Sequence, residues 1–458
     1  MKKLKTIPLL LIFVMLLQLL SFSVAAQDPA MELRCRNAIL MDAESGQILF
    51  TQDAYNKAFP ASMTKVMTAL LVLEALEDGT LTTDTMLTIS ERAATKENVD
   101  ESSAELVAGE QMSVHDMMYC LLLPSANDAA RAFAEYLAGS VEAFVDLMNQ
   151  RAVELGCKST HYTNVTGLHN PNHYSCAYDM AVIFREAMTH PFFLQISGTA
   201  EYFTAPTNMY GERRLVSTNS MLSDETYIAY LYEYCIAGKT GSTDEAGKCL
   251  TSAAKKDDKV LISVVMGSGP YEAEDGSIQH GHYTESLRLL EYGFENFRRE
   301  TLTQPDTPVA SVAVTMSDDG TEVGVIPIGS IPVLLSKDIP LTEIQTQITL
   351  FAETIEAPVT KGQVMGSMRL YHGDQTFGEL ELVAERGLTF SEEQLKQLNR
   401  RAFWAKNWGW FVFIPLLILL LPVAALFAIR YINIYRAKQR RKRRQAARAA
   451  AQRKARNK

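Results

Sequence analysis

Trp408 to Ile429 is a run of 22 residues without one charged side chain, and no other feature restricts the chain's architecture as strongly. A stretch of this length crosses a bilayer as a single helix. All three tryptophans, Trp404, Trp408 and Trp410, stand at its start, where amphipathic rings prefer the headgroup layer. Pro415 and Pro422 bend such a helix without forbidding it. After Ile429 come thirteen Lys or Arg, including Arg440-Arg441-Lys442-Arg443-Arg444, and no acid. Cations next to a span mark its cytoplasmic side. A basic run can also be a nucleic-acid arm, but directly behind a span it reads as a topology signal in contact with lipid headgroups; no nucleic-acid partner is expected.

The opposite end carries Lys2, Lys3 and Lys5, an apolar run from Ile7 to Leu20, and small residues up to Val24-Ala25-Ala26. This is the pattern of a secretory signal cut before Gln27; its apolar core is short for an anchor, and no cysteine follows for lipid attachment. The two ends hold sixteen of the 44 basic residues, which leaves 28 against all 53 acids in the part between them. That part is therefore near −25, which disfavours electrostatic binding to anionic polymers. The six cysteines, Cys35, Cys120, Cys157, Cys176, Cys235 and Cys249, include no C-x-x-C pair. Metal binding through them is poorly supported. An oxidising exterior permits disulfides, and the sequence leaves their pairing open.

Gln27 to about Arg401 is long enough for two domains. Asn37–Asp42 and Gln47–Thr51 read as a hairpin. From Ser62 to Leu76 apolar residues recur at helical spacing, with Ser62 in the first turn. Further helical patterns cover Ser113–Leu123, Asn127–Leu137, Val141–Leu155 and Tyr178–Ala187. Strand character returns at Tyr234–Thr240, Cys249–Ala254 and Val260–Met266, before an amphipathic helix from about Glu285 to Phe297. Strands from both ends of a domain, with helices between them, predict one antiparallel sheet packed against a helical layer. Beyond Pro308 short strands alternate with Gly and Pro turns: Val309–Thr315, Thr321–Val325, Ile331–Leu335, Ile344–Leu350 and Thr376–Val383. They predict a small all-β domain. Phe390–Asn407 reads as a mixed helical stalk.

Three motifs stand in order: Ser62-Met63-Thr64-Lys65, Ser125-Ala126-Asn127 and Lys239-Thr240-Gly241. On a helix, residues three apart share a face, so Lys65 reaches Ser62. A serine hydroxyl needs an adjacent base to become a nucleophile. A lysine is such a base when desolvation and a nearby cation lower its proton affinity, and Lys239 would supply the cation. A helix start under Ser62 adds backbone N–H groups suited to an oxyanion. Ser125-Ala126-Asn127 follows Leu121-Leu122-Leu123-Pro124, which places it on a turn between helices. Gly241, at the end of a strand, would let a substrate backbone come close. Each motif alone has an ordinary reading: a helix start, a cap, a hairpin turn. A second S-x-x-K, Ser252 to Lys255, lies in a strand pattern, where its two ends face opposite ways. Gln279-His280-Gly281-His282 raises zinc, but two histidines without a third ligand are weak support. Asn164-Val165-Thr166 is a glycosylation sequon only in a glycosylating host.

As a set and in this order, the three motifs resemble those of penicillin-binding proteins and serine β-lactamases. The flanking residues look like the D-alanyl-D-alanine carboxypeptidase branch. They are Phe59-Pro60-Ala61 before the first motif, Leu123-Pro124 before the second, Thr166-Gly167-Leu168, His173-Tyr174-Ser175, and Gly238 to Thr243 around the third. Ala357 to Gln363 resembles the β-domain of the same branch. Ala126, Cys176 and Ser242 stand where glycine, threonine and histidine are frequent. No E-x-x-L-N string of the class A β-lactamases occurs. A wall-binding or β-lactam-sensing protein without activity would be expected to have lost a catalytic residue, and none is missing.

The resemblance implies an α+β fold: a β-lactamase/transpeptidase-like domain, an antiparallel sheet with helical layers, then a small all-β domain and a C-terminal transmembrane helix. The expected boundaries are 1–26 signal, 27–300 catalytic domain, 301–390 β-domain, 391–407 stalk, 408–429 span and 430–458 cytoplasmic tail. It also implies roles. Ser62 attacks the carbonyl between two D-alanines, Lys65 takes its proton and Ser125 relays a proton to the leaving group. Asn127 orients the substrate amide and Lys65. Lys239 and Thr240 hold the terminal carboxylate beside Gly241, and the N–H groups of Ser62 and Ser242 form the oxyanion hole. The implied partners are the peptidoglycan stem peptide, β-lactam inhibitors and the membrane. No cofactor or metal is called for.

Overall fold

In a computed structural model, residues 31–273 and 275–456 are described; the signal-like segment lies outside them. The described residues form two compact units. One comprises the chain up to Thr307 with Pro327–Thr349 and Gly366–Glu381; the other comprises Pro308–Ile326, Leu350–Met365 and the chain from Leu382 onward.

The first unit is built on a five-stranded antiparallel sheet. Its strands are β1 (Asn37–Asp42), β2 (Ile48–Gln52), β3 (Cys235–Thr243), β4 (Gly247–Lys256) and β5 (Lys259–Ser268), in the order β2-β1-β5-β4-β3. The two ends of the domain thus meet at the β1–β5 pairing, Ile39 opposite Val264. Side chains alternate across a strand, and here both faces are apolar. Ile39, Met41, Ile262 and Val264 join one core with the helices α1 (Lys65–Glu77), α2 (Val114–Leu122), α3 (Asn127–Ala138) and α4 (Ala177–Ala187). Ala38, Leu40, Leu261 and Val265 join a second core with α5 (Gly281–Asn296). The sheet is therefore enclosed between two helical layers, one more than the strand and helix pattern alone predicts.

Two boundaries differ from the periodicity. The predicted helix from Ser62 is a 3-10 turn, Ala61–Thr64, followed by α1 from Lys65; Ala61 has φ +47°, which a continuous α-helix does not allow. Helix α5 begins at Gly281, four residues before its amphipathic stripe. A Cβ on Gly281 would lie 2.2 Å from Ser268 Oγ, so the residue that admits this close entry is one that periodicity ignores.

Also within this unit, β6 (Phe297–Thr301) pairs antiparallel with Pro332–Ser336, and Ile331, Val333, Leu335 and Leu370 form a small core. The second unit holds Ala310–Thr315, paired antiparallel with Glu322–Pro327 and parallel with Thr354–Glu356. It ends in a 65-residue helix, Glu392–Arg456. The stretch read as a mixed stalk is a continuous part of that helix. Strand Val364–His372 has no counterpart in the sequence reading: Gly366, buried next to Met365, interrupts an alternation that only Met368, Arg369 and Leu370 keep.

Candidate active site

The Ser62 turn is held from two sides. Thr68 Oγ1 donates to Val165 O at 2.9 Å and Lys65 Nζ donates to Thr166 O at 2.8 Å. Asn164 Oδ1 accepts from the N–H groups of Thr166 and Gly167 and its Nδ2 donates to Leu168 O, so the amide of the sequon is occupied in the turn. His173 Nδ1 accepts from Thr163 N, which leaves Nε2 to carry the proton and donate to Thr64 Oγ1 at 2.8 Å. Burial lowers the His173 pKa to about 4, and it works as a neutral tether.

Gly167, at φ +86°, passes so close to the turn that a Cβ there would sit 1.8 Å from Ala61 O. From the other side, a Cβ on Gly241 would lie 2.7 Å from Pro60 O. The sequence suggests that Gly241 admits a substrate backbone; in the structure the close neighbour is the Ser62 turn itself.

The three motifs converge. Lys65 Nζ lies 3.0 Å from Ser62 Oγ. Lys65 is completely buried, and its pKa falls well below the ordinary lysine value, first through burial and then through the charge of Lys239. Ser125 sits between α2 and α3 with φ +65°, a strained conformation of the kind that persists at functional sites. Its Oγ is buried and has no partner among the described residues. Lys239, on β3, is buried, desolvation lowers its pKa to about 7, and its Nζ donates to Thr240 O at 3.1 Å. Thr240 Oγ1 is hydrogen-bonded to Thr218 Oγ1 at 2.6 Å.

Ser62, Ser125, Thr240, Gly241 and Ser242 line one cleft of about 350 Å³. Lys65, Asn127 and Lys239 lie buried behind them. The expected orientation of Lys65 by Asn127 is not made by a hydrogen bond: Asn127 Nδ2 donates to Glu101 Oε2 at 3.2 Å, and Lys65 is held by Thr166. The second S-x-x-K is inert, because Ser252 is buried in β4 and bonded to Ser263.

The same cleft is lined by Ser102, Thr218, Lys248, His280, His282 and Tyr283. His280 and His282 are the pair that raised zinc, but among the described residues no three His, Cys, Asp or Glu side chains gather as a metal site. His282 is buried and lies tilted against the Tyr283 ring, their centroids 4.0 Å apart; burial, followed by Lys248 and His280, lowers its pKa to about 3. It is a neutral wall of the cleft. Nothing in the local sequence marks Thr218 or Ser102, which are brought in by loops.

A sequence family described as D-alanyl-D-alanine carboxypeptidase matches residues 23–269, and one described as penicillin-binding protein 5, C-terminal domain, matches residues 297–389. The chain is 31% identical over 383 residues to the D-alanyl-D-alanine carboxypeptidase DacF of Bacillus subtilis, covering 83% of this chain and 93% of the relative. It is 29% identical to the D-alanyl-D-alanine carboxypeptidase DacA of Haemophilus influenzae, over 86% of this chain and 93% of that one. Among solved structures it is similar to penicillin binding protein 5 from Haemophilus influenzae, with a TM-score of 0.66 at 28% identity, covering 78% of this chain and 98% of that one.

Proposed function

The chain belongs to the D-alanyl-D-alanine carboxypeptidase family and is a serine-type hydrolase of that activity; from this premise we propose that its acyl-enzyme forms on Ser62. The observation that carries the assignment is the 3.0 Å contact between Ser62 Oγ and Lys65 Nζ, at a lysine whose burial and cationic neighbour favour the neutral amine. A neutral amine accepts the hydroxyl proton as Oγ attacks the carbonyl between the two D-alanines. The N–H groups of Ser62 and Ser242 receive the oxyanion. The proton taken by Lys65 is relayed through Ser125 to the leaving amine, one D-alanine departs, and water cleaves the ester and returns the serine. Thr240, over the Lys239 cation, holds the terminal carboxylate.

The substrate is the D-Ala-D-Ala end of a peptidoglycan stem pentapeptide. A β-lactam, which presents a carbonyl and a carboxylate in similar places, is its inhibitor. Residues 27–300 carry the reaction, 301–390 form the β-domain, and 408–429 span the membrane behind a cleaved signal, 1–26. Incubation of the purified protein with a D-Ala-D-Ala peptide should release free D-alanine, and Ser62→Ala should abolish the release. Release by Ser62→Ala at the wild-type rate would remove Ser62 from the reaction.

A further inference from the structure

Behind the second motif lies a buried ion pair that the reaction as described does not use. Glu101 stands on the loop that brings Ser102 to the cleft, and its carboxylate is fully buried. Arg131, one turn after Asn127 on α3, donates to Glu101 through Nη2 at 2.7 Å and Nη1 at 3.4 Å, and through Nε to Ala93 O at 3.1 Å. Glu101 Oε2 accepts from Asn127 Nδ2. The loop is clamped to the same turn of α3: Asn127 N donates to Ser102 O, and Asp128 accepts from Ser103 Oγ and Leu106 N.

An ionised carboxylate only accepts hydrogen bonds, whereas a carboxamide has one accepting and one donating end. Glu101 therefore dictates which way round Asn127 stands: Nδ2 is drawn back to the carboxylate and Oδ1 is left as the free end. Arg131 in turn keeps Glu101 ionised, since an unpaired buried carboxylate would take up a proton and could then present an O–H. We propose that Glu101, braced by Arg131, is a positioning residue for acylation: it fixes the orientation of the Asn127 carboxamide and sets a negative charge behind the base Lys65. This rests on the reading of Ser62 and Lys65 as nucleophile and base.

The charged and titratable groups around Lys65 come from every element packed on it. Lys239 on β3 and Arg131 on α3 lower its proton affinity; Glu101 on the loop and Asp128 on α3 raise it. His173 adjoins it from the 163–175 segment and is neutral. Removal of Glu101's charge alone thus moves the acid limb of acylation to lower pH, because Lys65 then gives up its proton more readily. Removal of both charges of the pair moves it less.

The test compares the full chain in detergent with Glu101→Gln and with the double variant Glu101→Leu, Arg131→Leu, by the rate of acylation with a fluorescent penicillin across pH and by melting temperature. The double variant has no uncompensated buried charge, and replacing an ion pair by apolar residues is often neutral for stability. Glu101→Gln can still accept from Asn127 but no longer excludes the reversed carboxamide and leaves Arg131 without its counter-charge, so its limb is read on protein that keeps a cooperative melting transition. The double variant leaves the carboxamide unheld, and its plateau rate falls about tenfold, the size expected for loss of one charge-assisted hydrogen bond, while its melting temperature stays near that of the wild type. An unshifted limb in Glu101→Gln together with a wild-type plateau in a folded double variant would overturn the proposal. Absence of any Ser62 adduct in the wild type would instead overturn the functional reading on which it rests.

Discussion

A lysine serves as a base only after losing its proton. At Lys65 burial is the first cause and the charge of Lys239 the second. Lys65→Arg keeps a cation beside Ser62 but cannot act as a base near neutral pH. Penicillin acylation, followed by intact-protein mass spectrometry, should slow by at least about a hundredfold, within the roughly 10²- to 10⁴-fold of general-base catalysis; near-normal acylation would remove Lys65 from the mechanism. Lys239 sets the other side of the pH profile. Its pKa of about 7 means that the cation proposed to hold the carboxylate fades above that pH, whereas Lys65 becomes competent as pH rises. The acylation rate should therefore rise and then fall, with the descending limb near pH 7 and missing in Lys239→Arg. The same group affects stability. Between about 7 and the ordinary 10.5 the unfolded chain binds a proton at Lys239 that the folded chain does not, so this group's contribution to stability rises with pH; above about 9 the six cysteines, whose pKa burial raises, act in the opposite direction, so the rise is read below that pH, and a urea midpoint that falls there would contradict the buried placement. Ser62, Lys65 and Lys239 were legible because residue types three apart on a helix, and a cation on a distant strand, form a recognisable set. Glu101, Thr218 and Ser102 were not, since each reaches the site through a loop whose path no periodicity records.

The nucleophile turn is an element held in shape by its neighbours. Ala61 has φ +47°, which costs a non-glycine residue of order 1–3 kcal/mol, and it persists because the loop bearing Gly167 and the strand bearing Gly241 close on it from two sides. Gly167→Ala should be severe. The added methyl would fall on Ala61 O, at a backbone conformation of φ +86° that alanine disfavours. We expect a loss of at least about 2 kcal/mol in chemical denaturation, together with loss of penicillin labelling. A variant that labels normally would show that the turn does not depend on this packing. Gly241→Ala, with its Cβ 2.7 Å from Pro60 O, should lose labelling in the same way. Most of the elements around this turn were readable: the helices flanking Pro124 by their apolar periodicity, and the hairpin 37–51 and the three strands after Tyr234 as short apolar runs bounded by turn residues. Its 3-10 geometry was not, because Pro60-Ala61-Ser62 has no local signal for a left-handed alanine; the tertiary contacts impose it. The second helical layer came from the family resemblance and not from the pattern, since strands buried on both faces lose the polar alternation that would report which side is covered.

Across the whole molecule, the C-terminal helix poses the largest remaining physical problem. Its 65 residues extend about 98 Å at 1.5 Å per residue, about three times the roughly 30 Å hydrocarbon core of a bilayer. Its apolar part is unburied, with none of the most hydrophobic window covered by the protein. An uncovered run from Trp408 to Ile429 is stable in water only if something apolar covers it, and its length suits a bilayer. The helix must then project on both sides, and its two projecting parts differ in charge. Residues 392–407 mix Glu392 and Glu393 with Lys396, Arg400, Arg401 and Lys406, whereas residues 430–456 carry only Lys and Arg. Such a bias favours the basic end inward, and in the orientation proposed here the cleft would lie outside, with the wall peptide. In intact cells, protease added from outside should therefore remove the Ser62 region and leave an epitope placed after Arg436 protected; permeabilised cells should lose both. Loss of the epitope from intact cells, with the Ser62 region spared, would invert the orientation and separate the enzyme from its substrate.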